Sequence, residues 1–329
     1  MQIPVIDVSA LNSGDPQAID NLAREFYRVY STIGFSYIIN HEVPDALVQR
    51  VFAASERFHA LPIAEKLELE LNRNHRGYIP INTSTDVNST LAEVTHPNQS
   101  ESFMVMREDT QDSEPVRAGH YLAGANQWPQ MDGFREDVMG YNTAMSELAL
   151  QLITVVFRSL DADAQVLEAF DPPTTWLRLL FYPSSQTDGQ SSVEKLADKG
   201  VYGSAPHTDF GCLTLLAQDE IGGLQVQSST GDWIDVPRIS GSFVVNVGDM
   251  LHRWSNGILR STPHRVINVS GKARYSCPFF FDPNVKTDIA PLDSCIKAGQ
   301  QALFPSINFG EFLRAELEAG YDHHKEASE

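Results

Sequence analysis

The sequence predicts a mainly β protein with flanking α-helices, and two observations carry that prediction. From about residue 174 onward, eight short strand-like segments follow one another, separated by Gly, Asp and Ser turns. Before them, and again after them, the apolar residues recur with helical periodicity. Eight closely spaced strands are typical of a jelly roll or a barrel, against which the helices would pack from outside.

The N-terminal part alternates strands and helices. IPVIDV at residues 3–8 is strand-like, and DPQAIDNLAREFYRVYSTIG reads as an amphipathic helix that ends at Gly34. FSYIIN is again strand-like, and VPDALVQRVFAASERFHALP is a second helix that stops before Pro62. A long polar stretch then predicts a loop, and residues 132–160 form the longest helical pattern of the chain.

The strand-rich part comes next and ends in a helix. Its segments are TTWLRLLFYP, GSAPHTD, CLTLLAQ, GGLQVQS, DWIDVP, SFVVNVGDML, STPHRVIN and RYSCPFFFDP. The segment NFGEFLRAELEAGY is amphipathic and is expected to cover the barrel as a C-terminal helix. No internal repeat and no clear linker interrupts the chain, so we expect one catalytic unit.

Composition limits the classes of function. The net charge of the 329 residues is −19, from 24 Lys and Arg against 43 Asp and Glu. Such an acidic surface repels phosphate backbones and anionic lipids, so nucleic-acid and membrane partners are not expected. The cysteines, Cys212, Cys277 and Cys295, form no C-x-x-C pair, which argues against a disulfide framework or a cysteine zinc site. No signal peptide or long apolar run is visible, so a cytoplasmic location is expected.

The segment SAPHTDFGCLTLL places a carboxylate in an otherwise apolar run. Residues two apart on a strand share a face, so His207 and Asp209 are expected to project together. A buried carboxylate is costly unless it is paired or coordinates a metal. His264, 57 residues further on and on another predicted strand, supplies a second imidazole. Two histidines and one carboxylate form the facial set that binds Fe(II) and leaves open positions for ligands.

Arg274 and Ser276, in RYSC, also share one face of a predicted strand. An arginine that points into a barrel needs an anion, and its planar guanidinium suits a carboxylate bidentately. A metal beside such a receptor implies an anionic cosubstrate that also chelates the metal. 2-Oxoglutarate fits both ends.

These motifs resemble, over nearly the whole chain, the isopenicillin N synthase-like family of iron(II)/2-oxoglutarate-dependent oxygenases. That family includes plant flavonoid and gibberellin oxidases and thymine 7-hydroxylase-like enzymes. The segments that carry the resemblance are IPVIDV, GFSYIINHEVP, RGYIP, ESF, GGLQV, VVNVGDML, WSNG and STPHRV. Glu42 stands where the family usually has a glycine.

The resemblance implies a double-stranded β-helix (jelly-roll) core with an N-terminal helical portion and a C-terminal helix. It makes His207, Asp209 and His264 the iron ligands, with no catalytic residue beyond the iron centre. It assigns the distal carboxylate of 2-oxoglutarate to Arg274 and Ser276. The remaining site residues that it implies are Tyr182, which matches the second tyrosine of the plant NYYP motif and would also contact the cosubstrate, and Phe280, which matches an aromatic of the substrate pocket. Leu180 replaces the asparagine of the plant motif.

The implied activity is hydroxylation or desaturation of an unactivated C–H bond of a small molecule, with O2 consumed and 2-oxoglutarate converted to succinate and CO2. We accordingly divide the chain into an N-terminal portion (1–170), a catalytic core (171–290) and a C-terminal helix and tail (291–329). Two alternatives stay open: an iron oxidase of the same fold that does not consume 2-oxoglutarate, and a non-catalytic, metal-stabilised binding protein. The prime substrate and the oligomeric state are left open.

Other polar residues receive weaker interpretations. Asn246 and Asp249 are expected to satisfy turn backbone, and His252 and Arg253 to lie at a strand end near the barrel mouth. The polar stretches 82–100 and 184–200 are candidate lids, because binding loops are typically polar and mobile.

Overall fold

The computed structural model describes residues 2–85, 91, 96–184 and 192–320. Its helices in this part of the chain are α1 (Pro16–Tyr30), α2 (Asp45–His59), α3 (Ile63–Leu67), α4 (Glu114–Arg117), α5 (Phe134–Ser159), α6 (Val193–Asp198), α7 (Asp249–Trp254) and α8 (Phe309–Gly320). None of these described helices is long and apolar enough to cross a bilayer. The predicted N-terminal helices and the C-terminal helix are confirmed.

The strands form two main sheets and a short pair. They are β1 (Val5–Asp7), β2 (Phe35–Ile39), β3 (Gly77–Ile79), β4 (Glu101–Met106), β5 (Thr174–Tyr182), β6 (Ser204–His207), β7 (Leu213–Gln218), β8 (Leu224–Gln227), β9 (Trp233–Asp235), β10 (Ser242–Val247), β11 (His264–Val266), β12 (Arg274–Asp282), β13 (Asp288–Ile289) and β14 (Ile307–Asn308). The major sheet runs β1-β2-β10-β7-β12-β5-β4-β3 and the minor sheet β6-β11-β8-β9. Apart from the parallel β1–β2 pair, the pairings in both sheets are antiparallel. This is the predicted jelly roll.

Helices α1, α2 and α5 cover the outer face of the major sheet. Helix α5 packs against β7 and β12 and also contacts α1 and α2. Its buried residues, among them Tyr141, Met145 and Leu152, belong to the same apolar core as the strands. Burial of this face stabilises the long helix far more than its intrinsic propensity does. The opposite face of the sheet is thereby left to form a cavity with the minor sheet.

The first helix ends earlier than predicted. Its last residue is Tyr30, and the chain reaches β2 through Gly34, whose φ of +68° is left-handed. A Cβ at Gly34 would lie 1.9 Å from the carbonyl oxygen of Arg260, so the backbones approach too closely for any side chain. This glycine therefore marks the entry to β2 rather than the helix end.

Two further predictions on secondary structure were wrong. The segment SFVVNVGDML is strand only to Val247, because Asp249 starts α7 and its backbone N–H donates to the carbonyl of Asp209. The polar stretch that follows α3 was expected to be a loop, but Gly77–Ile79 forms β3 and pairs with β4. Every residue of β3 and β4 is buried, so the two-residue alternation that identifies a strand is absent.

A buried ionic cluster ties the N-terminal helices to the outer face of the major sheet. Glu101 of β4 lies 2.9 Å from His59 Nδ1 and 2.7 Å from Lys66 Nζ, and it accepts a short hydrogen bond from the hydroxyl of Tyr78. Burial alone would raise the pKa of Glu101, but the hydrogen bonds from His59, Lys66 and Tyr78 outweigh burial and lower the pKa to about 2 from 4.5.

The lowered pKa of Glu101 should therefore make the free energy of unfolding decrease as the pH falls. Its pKa is lower in the folded state, so its stabilisation is complete above about pH 4.5 and is lost as the pH falls toward 2. At pH 7, Glu101→Gln is expected to lower the free energy of unfolding by about 3 kcal/mol, because Lys66 loses its buried partner. Urea unfolding at several pH values measures both effects. The control is Glu56→Gln, an exposed carboxylate on α2; acid profiles of wild type and Glu101→Gln that run parallel below pH 4.5 would contradict the prediction.

Candidate metal centre and active-site cavity

Three predicted metal ligands meet at one end of the minor sheet. His207 is the last residue of β6, and His264, the first residue of β11, is its direct cross-strand partner. Asp209 lies two residues beyond the end of β6, so the expectation that it shares a strand face with His207 was wrong. The turn nevertheless brings its carboxylate back, and one ligand atom from each residue lies within 4.8 Å of the others.

Both imidazoles present the same nitrogen to the carboxylate. His207 Nδ1 lies 2.7 Å from the carbonyl oxygen of Ala205, and His264 Nδ1 lies 3.2 Å from that of Thr262. A carbonyl only accepts, so each Nδ1 carries the proton, and each Nε2 keeps its lone pair when the ring is neutral. The Nε2 atoms lie 3.7 and 3.6 Å from the same oxygen, Oδ1 of Asp209. Such anchoring of the far nitrogen is typical of metal-binding histidines.

The second oxygen of Asp209 is held by the major sheet. Thr214 Oγ1 and Asn246 Nδ2 donate to Oδ2 at 2.6 and 2.7 Å. Burial by itself raises the pKa of Asp209, but His264, His207 and the two donors together lower it below its ordinary value. Asn246 lies inside β10 and does not satisfy turn backbone, contrary to the sequence interpretation. Only the assembled sheet shows that the Asn246 side chain faces Asp209.

The turn after Asp209 is fixed by a second buried carboxylate. Asp282, at the end of β12, accepts hydrogen bonds from the backbone N–H of Cys212 at 2.7 Å and from Trp176 Nε1 at 2.9 Å. A Cβ on Gly211 would lie 1.6 Å from Asp282 Oδ1, so only glycine fits between the turn and this carboxylate. The sequence analysis missed Asp282, because no local pattern links it to a turn 70 residues earlier.

A cavity of about 470 Å³ lies between the two sheets beside the metal ligands. His207 and Asp209 line it, and so does Phe280, as expected of a pocket aromatic. Helix α8 forms part of the wall; its lining residues are Phe312, Glu316, Leu317 and Gly320. The predicted C-terminal cover is thus part of the cavity itself.

Arg274, Ser276 and Tyr182 form a buried group that does not contribute to the cavity lining. The Arg274 side chain is fully buried; Nη1 lies 3.2 Å from Ser276 Oγ and Nη2 lies 3.4 Å from Gln218 Oε1. Tyr182 is its cross-strand partner, with the ring 4.6 Å from the guanidinium carbon. Among the described residues, no carboxylate lies within 4.0 Å of Arg274 and its Nε has no hydrogen-bond partner. A buried cation in this state suits an incoming anion.

The remaining sequence interpretations, for Asp249, His252, Arg253 and the candidate lids, have different outcomes. Asp249 accepts a hydrogen bond from Thr208 at 3.0 Å and lines the cavity, rather than only stabilising a turn. His252 and Arg253 are in helix α7, not at a strand end, and bind the carbonyls of Leu259 and Pro305 away from the cavity lining. The candidate lids at 82–100 and 184–200 lie partly outside the described residues and stay predictions.

Two imidazoles, an ionised carboxylate and a buried arginine are the groups expected around an iron ion and a bound 2-oxo acid. Two family models match the chain. Residues 173–283 match the 2OG-Fe(II) oxygenase superfamily, and residues 3–131 match the N-terminal region of a non-haem dioxygenase in morphine synthesis. A 2-oxoglutarate-Fe(II) type oxidoreductase of Emericella nidulans is 36% identical over 330 residues, which cover 97% of this chain and 90% of that protein.

The chain belongs to the 2OG-Fe(II) oxygenase superfamily. Homoarginine-6-hydroxylase of Glycine max is 31% identical to this oxygenase over 331 residues, covering 96% of each chain. The crystal structure of the full-length thymine 7-hydroxylase of Neurospora crassa in complex with alpha-KG and thymine matches it with a TM-score of 0.82 at 30% identity, covering 96% of both chains.

The comparisons confirm the predicted family, fold and class of activity. The oxygenase is an Fe(II)- and 2-oxoglutarate-dependent oxidoreductase that takes O2 as co-substrate. The names of its relatives favour this activity over an oxidase that spares 2-oxoglutarate and over a non-catalytic binding protein. The residues that hold the iron ion and 2-oxoglutarate, and the substrate that the cavity accepts, are proposed from the geometry of this chain.

Proposed function

We propose that this oxygenase hydroxylates a small, mostly apolar molecule held in the 470 Å³ cavity, with iron bound by His207, Asp209 and His264. The observation that carries the proposal is the convergence of two Nε2 atoms on one free carboxylate oxygen at the edge of that cavity. Arg274 and Ser276 receive the distal carboxylate of 2-oxoglutarate, with Tyr182 beside them. The catalytic core of residues 171–290 is completed by α8 and by the polar stretch after β3.

Each of these side chains has a defined task. The backbone carbonyls of Ala205 and Thr262 accept from Nδ1 of the two histidines, which directs each Nε2 toward Asp209 Oδ1 and the metal. Thr214 and Asn246 occupy Oδ2 of Asp209, which leaves Oδ1 as the metal-binding oxygen. Such outer partners orient the ligands before the metal arrives, so less ordering is needed on binding.

Different residues would hold the cosubstrate and the substrate. Arg274 is buried and is not part of the cavity lining, so the distal carboxylate of 2-oxoglutarate would lie beyond the wall that faces the substrate. When bound, Fe(II) and 2-oxoglutarate together supply O2 activation, with overall conversion of O2, 2-oxoglutarate and R–H to succinate, CO2 and R–OH. Phe280 and the apolar wall orient the substrate and exclude water, which protects the site from side reactions.

The substrate class is supported by the cavity wall and by the relatives. Aromatic and aliphatic side chains supply much of the lining; those involved are Met104, Trp176, Phe210, Phe280, Phe312 and Leu317. A cavity of this size matches a small molecule rather than a polymer. A solved neighbour holds thymine together with alpha-KG.

The purified chain is expected to form succinate from 2-oxoglutarate in air when Fe(II) is added, slowly alone and faster with a substrate. Succinate formation and O2 uptake, measured in parallel over a panel of small molecules, test this expectation. An anaerobic sample is the control, because the reaction consumes O2. Oxygen uptake without succinate would instead indicate the oxidase alternative, and binding of iron with neither would indicate the non-catalytic one.

A further inference from the structure

A second arginine, Arg178, lies on the face of the major sheet that lines the cavity. Alternation along β5 places Trp176, Arg178, Leu180 and Tyr182 on one face. Trp176, Arg178 and His207 all line the cavity, whereas Arg274, Ser276 and Tyr182 do not. Arg178 therefore faces the proposed substrate space, and the cosubstrate role proposed above uses only Arg274.

The hydrogen-bonding capacity of Arg178 is largely unused. Its Nη2 donates to Ser102 Oγ at 3.0 Å, while its buried Nε has no hydrogen-bond partner in the described part of the chain. Among the described residues, no carboxylate lies within 4.0 Å of this guanidinium. A guanidinium has five donors, and a buried donor without an acceptor is costly. Arg178 lines the cavity, so an acceptor oxygen of a ligand there would have guanidinium donors to bind.

The carboxylates on the other walls are already engaged. Asp282 accepts from Trp176 and from the backbone of Cys212, and Asp249 accepts from Thr208. Glu316 lies on the α8 wall. Apart from the metal ligands, Arg178 is thus the strongest donor available to a molecule in the described cavity, and the surfaces beside it on β5 and β12, Trp176 and Phe280, are aromatic.

We propose that Arg178 binds an oxygen acceptor of the prime substrate, either a carboxylate or a ring carbonyl, while the apolar body of the substrate packs against Phe280 and Trp176. This inference rests on the proposed function, because it assumes that the cavity is the substrate site. Arg178 is then a specificity-determining residue: it selects small apolar molecules that carry such an oxygen. A carboxylate uses the planar fork bidentately, and a carbonyl uses one arm.

The test measures binding rather than turnover. Wild type loaded with redox-silent Mn(II) and 2-oxoglutarate is titrated calorimetrically with phenylacetate, phenylacetamide, thymine and toluene. We expect phenylacetate or thymine to bind and Arg178→Met to weaken that binding at least about tenfold, as expected for a charge-assisted contact. Arg178→Lys should restore part of the phenylacetate affinity and little of the thymine affinity, which distinguishes a carboxylate site from a carbonyl site. Any binding of toluene should be unchanged by either substitution.

Several outcomes would overturn the inference. They are equal affinity of Arg178→Met and wild type for the acceptor probes, and failure of every acceptor probe to bind wild type at concentrations up to about 10 mM. A loss of 2-oxoglutarate affinity in Arg178→Met would also overturn it, since Arg178 would then belong to the cosubstrate site. Thermal stabilisation by Mn(II) verifies that each variant is folded, with Arg178→Gln as a second variant. Failure of the proposed function is distinguishable, because it appears as absent succinate formation in wild type.

Discussion

Replacing His207 or Asp209 by alanine is expected to abolish retention of Fe(II) and to lower succinate formation by at least about 100-fold. Loss of an outer partner of a metal ligand typically costs about 10–100-fold in metal affinity or activity, so loss of a ligand itself should cost more. In His207→Ala the Oδ1 atom of Asp209 keeps only one imidazole 3.6 Å away. Two ligands in an incomplete shell cannot compete with water and buffer for the ion.

The readouts are metal content after dialysis and thermal stabilisation by Mn(II), which is redox-silent. A metal that binds only the folded state raises stability according to its concentration relative to Kd, so wild type should gain stability and both variants should not. The matched control is His120→Ala, because His120 lies outside the active-site cavity near Glu114. Wild-type iron content in either ligand variant would refute the assignment.

Replacing Arg274 by alanine is expected to lower the affinity for 2-oxoglutarate at least about tenfold while iron binding survives. The substitution removes a charge-assisted bidentate contact worth about 1.5–3 kcal/mol, and about 1.4 kcal/mol corresponds to one decade in affinity. Arg274→Lys should recover only part, because a point charge cannot reproduce the fork. Ser276→Ala removes a single neutral hydrogen bond, and its effect should be smaller.

A cosubstrate role of Arg274 can be distinguished from an internal ion pair. If Arg274 served an internal ion pair, its removal would lower stability and iron retention together, but no described carboxylate lies within 4.0 Å of it. Arg274→Met keeps much of the buried volume and separates loss of charge from loss of packing. Arg178→Met is the reciprocal control: it should retain 2-oxoglutarate affinity and lose acceptor probes, whereas Arg274→Met should do the opposite. Unchanged 2-oxoglutarate affinity in a folded, iron-loaded Arg274→Met protein would falsify the cosubstrate assignment.

The pattern of the sequence was sufficient for the architecture and for the candidate ligand set. Strand-length apolar runs with regular turns predicted the jelly roll, because period and spacing are local properties of the chain. His207, Asp209 and His264 were proposed as ligands because a carboxylate in an apolar run is costly without a metal, and two histidines complete an iron-binding set. Arg274 and Ser276 were proposed as an anion receptor because they lie two residues apart on a predicted strand. These inferences depend on residue chemistry and spacing, and the family resemblance added the roles proposed for Tyr182 and Phe280.

Contacts between residues that are distant in the sequence were determined only by the tertiary structure. Asn246 donates a hydrogen bond to the carboxylate of Asp209, which is 37 residues away in the sequence. Asp282 accepts a hydrogen bond from the backbone of Cys212, 70 residues before it. Arg178 and Arg274 lie on the paired strands β5 and β12, yet only Arg178 lines the cavity. A side chain's direction is set locally by the strand, but whether it faces a helix, the core or the cavity is decided by the sheet as a whole. By itself the sequence therefore determined the fold class and a candidate metal-binding chemistry, and only the assembled sheets decided which residues orient the ligands and which face the substrate.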